Sequence, residues 1–312
     1  MNLKQAWALT KNSLSAWSSD FAPSMGAALS YYTLFSIAPL LIIVIATAGL
    51  VFGADAVRSV IFDQLHALMG EEGAEAIQDM LASASDTTTG GIATVVSIAG
   101  LAIGATTVFN EIQNDLDRIW RAPALQESSG LWELLRTRLL SFGMILGVAF
   151  LLAVSLVTSA ALAMLGKWWD TWLGNWEALA YVLDVVVNLG MLTLIFALLY
   201  KMIPRVKVSW HDVWVGAAVT AVLFIIGKVA IGLYLGKSDV TSSFGTAASL
   251  VIVMVWVYYA SQIFLFGAEL TRVYAEMHGS RREQSKEERR AVPPKPGRRR
   301  SDGRVMDGAE PA

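Results

Sequence analysis

The sequence predicts an all-α polytopic membrane protein. It reads as a bundle of six transmembrane helices with an N-terminal interfacial amphipathic helix and a disordered C-terminal tail. Three observations carry this prediction. Hydrophobic residues make up 55% of the 312-residue chain and charged residues only 16%, against about 25% charged in ordinary soluble domains. The apolar residues come in long blocks and not in periodic faces, the pattern of segments solvated by lipid. The basic residues are sorted loop by loop, as in chains threaded through a bilayer.

Taken in order, residues 1–27 form a cytoplasmic segment. Leu3, Trp7, Leu14, Trp17 and Phe21 recur there at roughly helical spacing, which predicts an amphipathic helix on the inner membrane surface. This segment lacks the apolar core of a signal peptide, so no cleavable signal is expected. A spanning helix needs about 20 mostly apolar residues. Six stretches of the 28–270 domain qualify: 28–52, 91–109, 139–165, 179–203, 213–235 and 246–270. The outer loop 54–89 is acidic, with Asp55, Asp63, Glu71, Glu72, Glu75, Asp79 and Asp86. Its Val57, Val60, Ile61, Leu65 and Leu68 predict short helices. The next outer loop gathers Trp168, Trp169, Trp172 and Trp176, an aromatic anchor at the membrane interface. The tail, 271–312, is basic, proline-containing and free of apolar period, so disorder is expected. Anionic lipid would attract it by about 1 kcal/mol per basic residue near the surface.

Orientation follows from Lys and Arg. Twenty lie in the N-terminal segment, the second-to-third loop, the fourth-to-fifth loop and the tail, eleven of them in the tail. The alternate loops hold three: Arg58, Lys167 and Lys237. Without the tail the asymmetry is still nine to three. Both termini are therefore expected in the cytoplasm.

Polar residues inside spans face protein or water, because lipid tails offer no hydrogen bonds. On the second span, Ser97, Gly100, Gly104, Thr107, Glu111 and Asp115 fall within about 80° of one another at 100° per residue. The sixth span carries Tyr258, Gln262 and Glu269, and the fifth Gly216, Thr220 and Gly227 as a packing surface. On the first, Tyr32, Thr33, Ser36 and Pro39 share one broad side. Pro39 cannot donate to the carbonyl of Phe35, so a kink is expected there. Lys228 lies about 10 Å from the outer end of its span, and Asp184 about 8 Å from the outer end of its own. Pairing would lower the cost of burying both; alternatively Lys228 snorkels outward alone. The candidate path residues are Tyr32, Ser36, Pro39, Glu111, Gln262 and Glu269, expected to border one cavity opening to the cytoplasm.

No catalytic residue, metal site or cofactor is predicted. The chain has no cysteine. Its three histidines, His66, His211 and His278, fall on both sides of the membrane and cannot gather into one metal site. No P-loop and no GxSxG occurs.

Three stretches carry a resemblance: "GAALSYYTLFSIAPLL" at 26–41, "LDRIWRAP" at 116–123 and "FGAELTRVYAE" at 266–276. From Ala16 to Glu276 the chain resembles the YihY/BrkB family of bacterial inner-membrane proteins, and the order of segments matches. The resemblance implies a six-helix inner-membrane protein, loosely linked to transport and envelope functions. An older label for that family, ribonuclease BN, is at odds with the scattered histidines.

Two functional readings follow. The first is a transporter or exporter without its own ATPase, moving a lipid-like or small amphiphilic solute. The second is a non-transporting scaffold or partner subunit of an envelope complex, or a homo-oligomer, docking through the tail and outer loop. An intramembrane enzyme is the remote third. Membrane lipids are expected partners, and nucleic acid is not.

Overall fold

The computed structural model describes residues 2–86, 107–123, 176–237, 244 and 247–282. The third predicted span, most of the second, Trp168, Trp169 and Trp172, and the tail past Arg282 lie outside the described residues.

Among the described residues the regular elements are all helical: α1 (Leu3–Ser19), α2 (Ala22–Phe52), α3 (Ala54–Met69), α4 (Glu71–Asp86), α5 (107–119), α6 (Trp176–Met202), α7 (Trp210–Lys237) and α8 (Ala248–Met277). Among the described residues, four segments are long and apolar enough to cross a membrane: Ala22–Ile42, Val185–Met202, Trp210–Lys237 and Ala248–Met277.

Local chemistry sets the boundaries. The backbone N–H of Asn2 donates to Gln5 Oε1 at 3.0 Å and closes the first turn of α1. Phe21 turns the chain with φ 60°, and Pro23 follows in the first turn of α2, where a missing N–H breaks no helical bond. Beyond it α2 runs as one continuous helix through Pro39. Gly53 (φ 88°) and Gly70 (φ 82°) then make the two bends that fold α3 and α4 back, at angles that only glycine adopts without strain.

Helix α8 is the hub. It packs against α7, α2, α1 and α4, while α6 packs against α7. The main core joins Ala22, Met25 and Leu29 of α2 to Leu116, Ile119 and Trp120 at the end of α5. Phe196, Ala197 and Tyr200 of α6 and Leu265, Ala268 and Ala275 of α8 complete it. The α3–α4 hairpin buries Met69 and Ile77 against Leu34 of α2 and Val253 of α8. On α1, Leu9 and Ala16 pack against Leu270 and Val273. Trp7, Leu14 and Phe21 face outward. The stripe of α1 turned to the bundle is thus Leu9, Ser13 and Ala16, one face over from most of the residues read as its apolar side.

Small residues let α7 and α8 approach closely. Each carries G-x-x-x-T: Gly216 and Thr220 on α7, Gly267 and Thr271 on α8. A Cβ at Gly216 would lie 1.7 Å from Thr271 Oγ1, and one at Gly267 would lie 1.9 Å from Thr220 Oγ1. Both hydroxyls are satisfied within their own helices, donating to Gly216 O and Gly267 O at 2.7 Å. Tyr200 seals the seam from α6, its hydroxyl 3.1 Å from Thr220 Oγ1 and donating to Phe264 O at 2.8 Å. Further along, Gly227 makes room for Tyr259 and Ile263.

Lys228 Nζ donates to Ala67 O at 2.8 Å. Ala67 is in the last turn of α3, where carbonyls lack helical partners and the helix dipole is negative. A charge on an apolar span is thereby tied to the end of a neighbouring helix. The side chain of Asp184 lies outside the described residues, and with it the proposed Asp184–Lys228 pair.

Candidate functional site: a buried charged cluster where α1, α2 and α8 meet

Gln262, Glu269 and Glu276 recur every seven residues on α8, so they lie along one face. The first faces the start of α2. Gln262 Nε2 donates to Ala22 O at 3.4 Å, and a Cβ at Gly26 would fall 2.0 Å from that nitrogen. Glycine at 26 is what allows the amide to seat there. Gln262 Oε1 is buried without a partner among the described residues.

Two turns further on, Glu269 is fully buried and Arg272 nearly so. Arg272 Nε and Nη2 donate to Glu269 Oε2 at 3.1 and 2.8 Å, and Nη1 donates to Glu276 Oε1 at 2.8 Å. Asp20, from the α1–α2 turn, places Oδ2 3.9 Å from Nη2. One guanidinium thus serves three carboxylates. Buried charge is tolerated when paired and hydrogen-bonded, and Arg supplies the five-donor fork that this arrangement needs. Satisfaction is incomplete. Glu269 Oε1 and Asp20 Oδ2 are buried and accept no hydrogen bond among the described residues, and the indole N–H of nearby Trp17 donates none. The cluster therefore has surplus negative charge and spare acceptors, able to take a proton or the donor groups of a solute.

A second polar group closes the same end of the bundle. Gln113 Nε2 donates to Ile203 O at 3.1 Å and Gln113 Oε1 accepts from Arg205 Nη2 at 3.1 Å. Asp117 accepts the backbone N–H of Arg205 at 2.8 Å and pairs with its Nη1 at 3.2 Å. These contacts fasten the end of α5 to the α6–α7 connection. Asp115 lies one turn after Glu111 on α5. Burial pushes the Asp115 carboxyl up from 3.8 to about 7; Glu111 adds to the rise and Arg118 opposes it. Asp117 is also raised, chiefly by burial, with the hydrogen bond and charge of Arg205 opposing.

Of the candidate path residues, Gln262 and Glu269 share this α8 face. Ser36 is buried and donates to Tyr32 O at 2.7 Å within α2. Tyr32 meets the edge of Tyr31, ring centroids 5.7 Å apart. The side chain of Pro39 is outside the described residues. Glu111 belongs to the α5 group. Among the described residues no hydrogen bond or ion pair joins Tyr32, Ser36 or Glu111 to Gln262 or Glu269. Arg272 and Asp20 are functional candidates that the span-by-span reading passed over. The spacing E-x-x-R-x-x-x-E was a usable signal for Arg272, since residues three and four apart meet on a helix. Asp20 had none, because only the α1–α2 turn brings it near.

The profile of the family described as Virulence factor BrkB matches residues 13–292. Among curated relatives, a UPF0761 membrane protein of Ralstonia nicotianae is 28% identical over 281 residues, covering 86% of this chain and 59% of the relative. One from Rhodospirillum centenum is 30% identical over 260 residues, covering 81% and 54%. One from Pseudomonas aeruginosa is 29% identical over 258 residues, covering 80% and 59%. The chain thus spans between half and three fifths of these relatives' length. No solved structure matches it. With four membrane-length apolar helices among its described residues, and a family profile that matches residues 13–292, the chain belongs to the Virulence factor BrkB family of membrane proteins.

Proposed function

We propose that the protein is a transporter or exporter that carries a lipid-like or small amphiphilic solute across the bacterial inner membrane, in the service of envelope homeostasis. Both termini face the cytoplasm in this reading, and α1 lies at the inner surface with Trp7 and Leu14 toward lipid. One observation carries the proposal. The polar face of α8 holds buried acceptors that no donor reaches among the described residues, Gln262 Oε1 and Glu269 Oε1, and Asp20 Oδ2, 3.9 Å from Arg272 Nη2, accepts no hydrogen bond either. Buried polar atoms in native proteins are nearly always satisfied, and polar groups within spans mark solute or proton routes.

A scaffold or partner subunit is the competing reading, favoured by the close α7–α8 seam at Gly216 and Gly267. Reconstitution separates the two. Liposomes containing the full chain would carry either a headgroup-labelled fluorescent phospholipid or an entrapped small amphiphilic dye. Transport gives protein-dependent access of an external quencher to the inner-leaflet lipid, or release of the dye, slowed by Gln262→Leu and Glu269→Gln. Flux of neither probe above protein-free liposomes defeats the transport reading.

A further inference from the structure

Beside the end of α5 lies an open recess of about 360 Å³, lined by Asn114, Asp117, Arg118, Arg121, Pro123 and Arg205. We propose that this recess binds a phosphate group, presented by the headgroup of an anionic phospholipid at the membrane surface. The site is independent of the transport reading, since a headgroup can dock here whether or not anything crosses the bilayer.

The charge balance points to an anion. Three guanidiniums face one carboxylate, and Asp117 is already engaged by the backbone N–H and Nη1 of Arg205. The Arg118 guanidinium lies 5.6 Å from the centroid of the Phe21 ring. A guanidinium over a ring face keeps its N–H edges free to donate in its own plane. Arg121 has no hydrogen-bond or ion-pair partner for its side chain among the described residues. Arginine forks fit two oxygens of one phosphate.

The backbone adds an independent sign. Arg121 has φ 52°, the left-handed position after a helix that glycine usually fills. The turn is closed by Ala122 N–H on Asp117 O at 2.8 Å and Arg121 N–H on Arg118 O at 3.1 Å. Arginine here has a conformational cost that glycine would avoid, and such strain gathers at functional positions. What arginine supplies in exchange is a guanidinium in the lining of the recess.

Location fits a headgroup. The recess lies between the end of α5 and the connection from α6 to α7, at the ends of membrane-length helices. Phe21 and Trp210, both well exposed, stand at this end of the bundle, as aromatic residues do at the headgroup level. The recess also exceeds the size of a phosphate, leaving space for the rest of a glycerol headgroup.

The test is equilibrium binding to the full chain in neutral detergent, with dihexanoyl phosphatidylglycerol, dihexanoyl phosphatidylcholine and inorganic phosphate as probes. Phosphatidylglycerol should bind about tenfold tighter than phosphatidylcholine, and Arg121→Gly should remove about tenfold of that affinity, as expected for one charge-assisted fork. Because glycine suits the left-handed turn, Arg121→Gly should melt no earlier than the wild type, which separates lost binding from lost folding. The exposed Arg118→Gln should weaken binding too, and Lys207→Gln, outside the recess, should not. Saturable inorganic phosphate binding that disappears in Arg121→Gly, with no preference between the two lipids, upholds the phosphate site but assigns it to free phosphate. Unchanged binding of both phosphatidylglycerol and phosphate in Arg121→Gly and in Arg118→Gln overturns the proposal.

Discussion

Replacing Arg272 by methionine keeps much of the side chain's length and removes its charge. The consequence falls on Glu269, which is fully buried and accepts from Arg272 at 3.1 and 2.8 Å. Its other oxygen is already unpartnered among the described residues. Without Arg272 a buried carboxylate stands alone beside Asp20, another carboxylate. Breaking a buried pair from one side costs about 3–5 kcal/mol. Most of that is the cost of stranding Glu269, since Glu276 is partly exposed and can turn to water. Adding Glu269→Gln to Arg272→Met should therefore recover at least half of the loss. Unfolding in lipid nanodiscs, followed by tryptophan fluorescence for the wild type, both single variants and the double variant, measures the coupling directly. A loss below about 1 kcal/mol for Arg272→Met, or a double variant no more stable than Arg272→Met, would refute the reading of this cluster as a buried network.

Three further outcomes are expected. Gly267→Val places branched carbons where Thr220 Oγ1 and the Tyr200 hydroxyl stand, 1.9 and 2.4 Å from a new Cβ; α7 and α8 must separate, lowering stability by at least about 1–3 kcal/mol, whereas Gly190→Ala, with open space around it, should be tolerated. Asp115 holds its proton more tightly folded than unfolded, so its contribution is fully present below pH 3.8 and is lost as pH rises through about 7. The decline is on the order of 4 kcal/mol at 1.36 kcal/mol per pH unit, and Asp115→Asn should flatten it in a pH series of melting curves. Topology reporters fused after Asp86, Gly174 and Lys237 should signal the outer side; an inner-side signal at any of them breaks the proposed orientation.

The all-helical class and the four apolar spans found among the described residues were legible because lipid imposes a length and a composition on whatever crosses it. The small-residue face Gly216, Thr220 and Gly227 was legible for a related reason, since close helix approach requires small side chains at fixed spacing. The partner of that face was not: nothing local says that Gly216 meets Thr271. Lys228 was flagged by its cost inside an apolar run, but its acceptor, Ala67 O, depends on where the α3–α4 hairpin seats. The charged cluster was half legible. Gln262 and Glu269 were found as part of a polar stripe with Tyr258 on the sixth span, while Asp20 and the Asp117–Arg205 pair join positions far apart in sequence that only the fold brings together.

In the proposed transporter, the polar groups of α2 and α8 line a route that opens to the cytoplasmic side. Cysteines introduced singly at Ser36, Gln262 and Glu269 of this naturally cysteine-free chain, probed with a membrane-impermeant thiol reagent from that side, test it most directly. All three should be modified in folded protein, with position 262 protected by a transported amphiphile. Positions 36 and 262 remaining unreactive, with position 269 reacting only as a frayed helix end does, would contradict it and leave a packed core without a path.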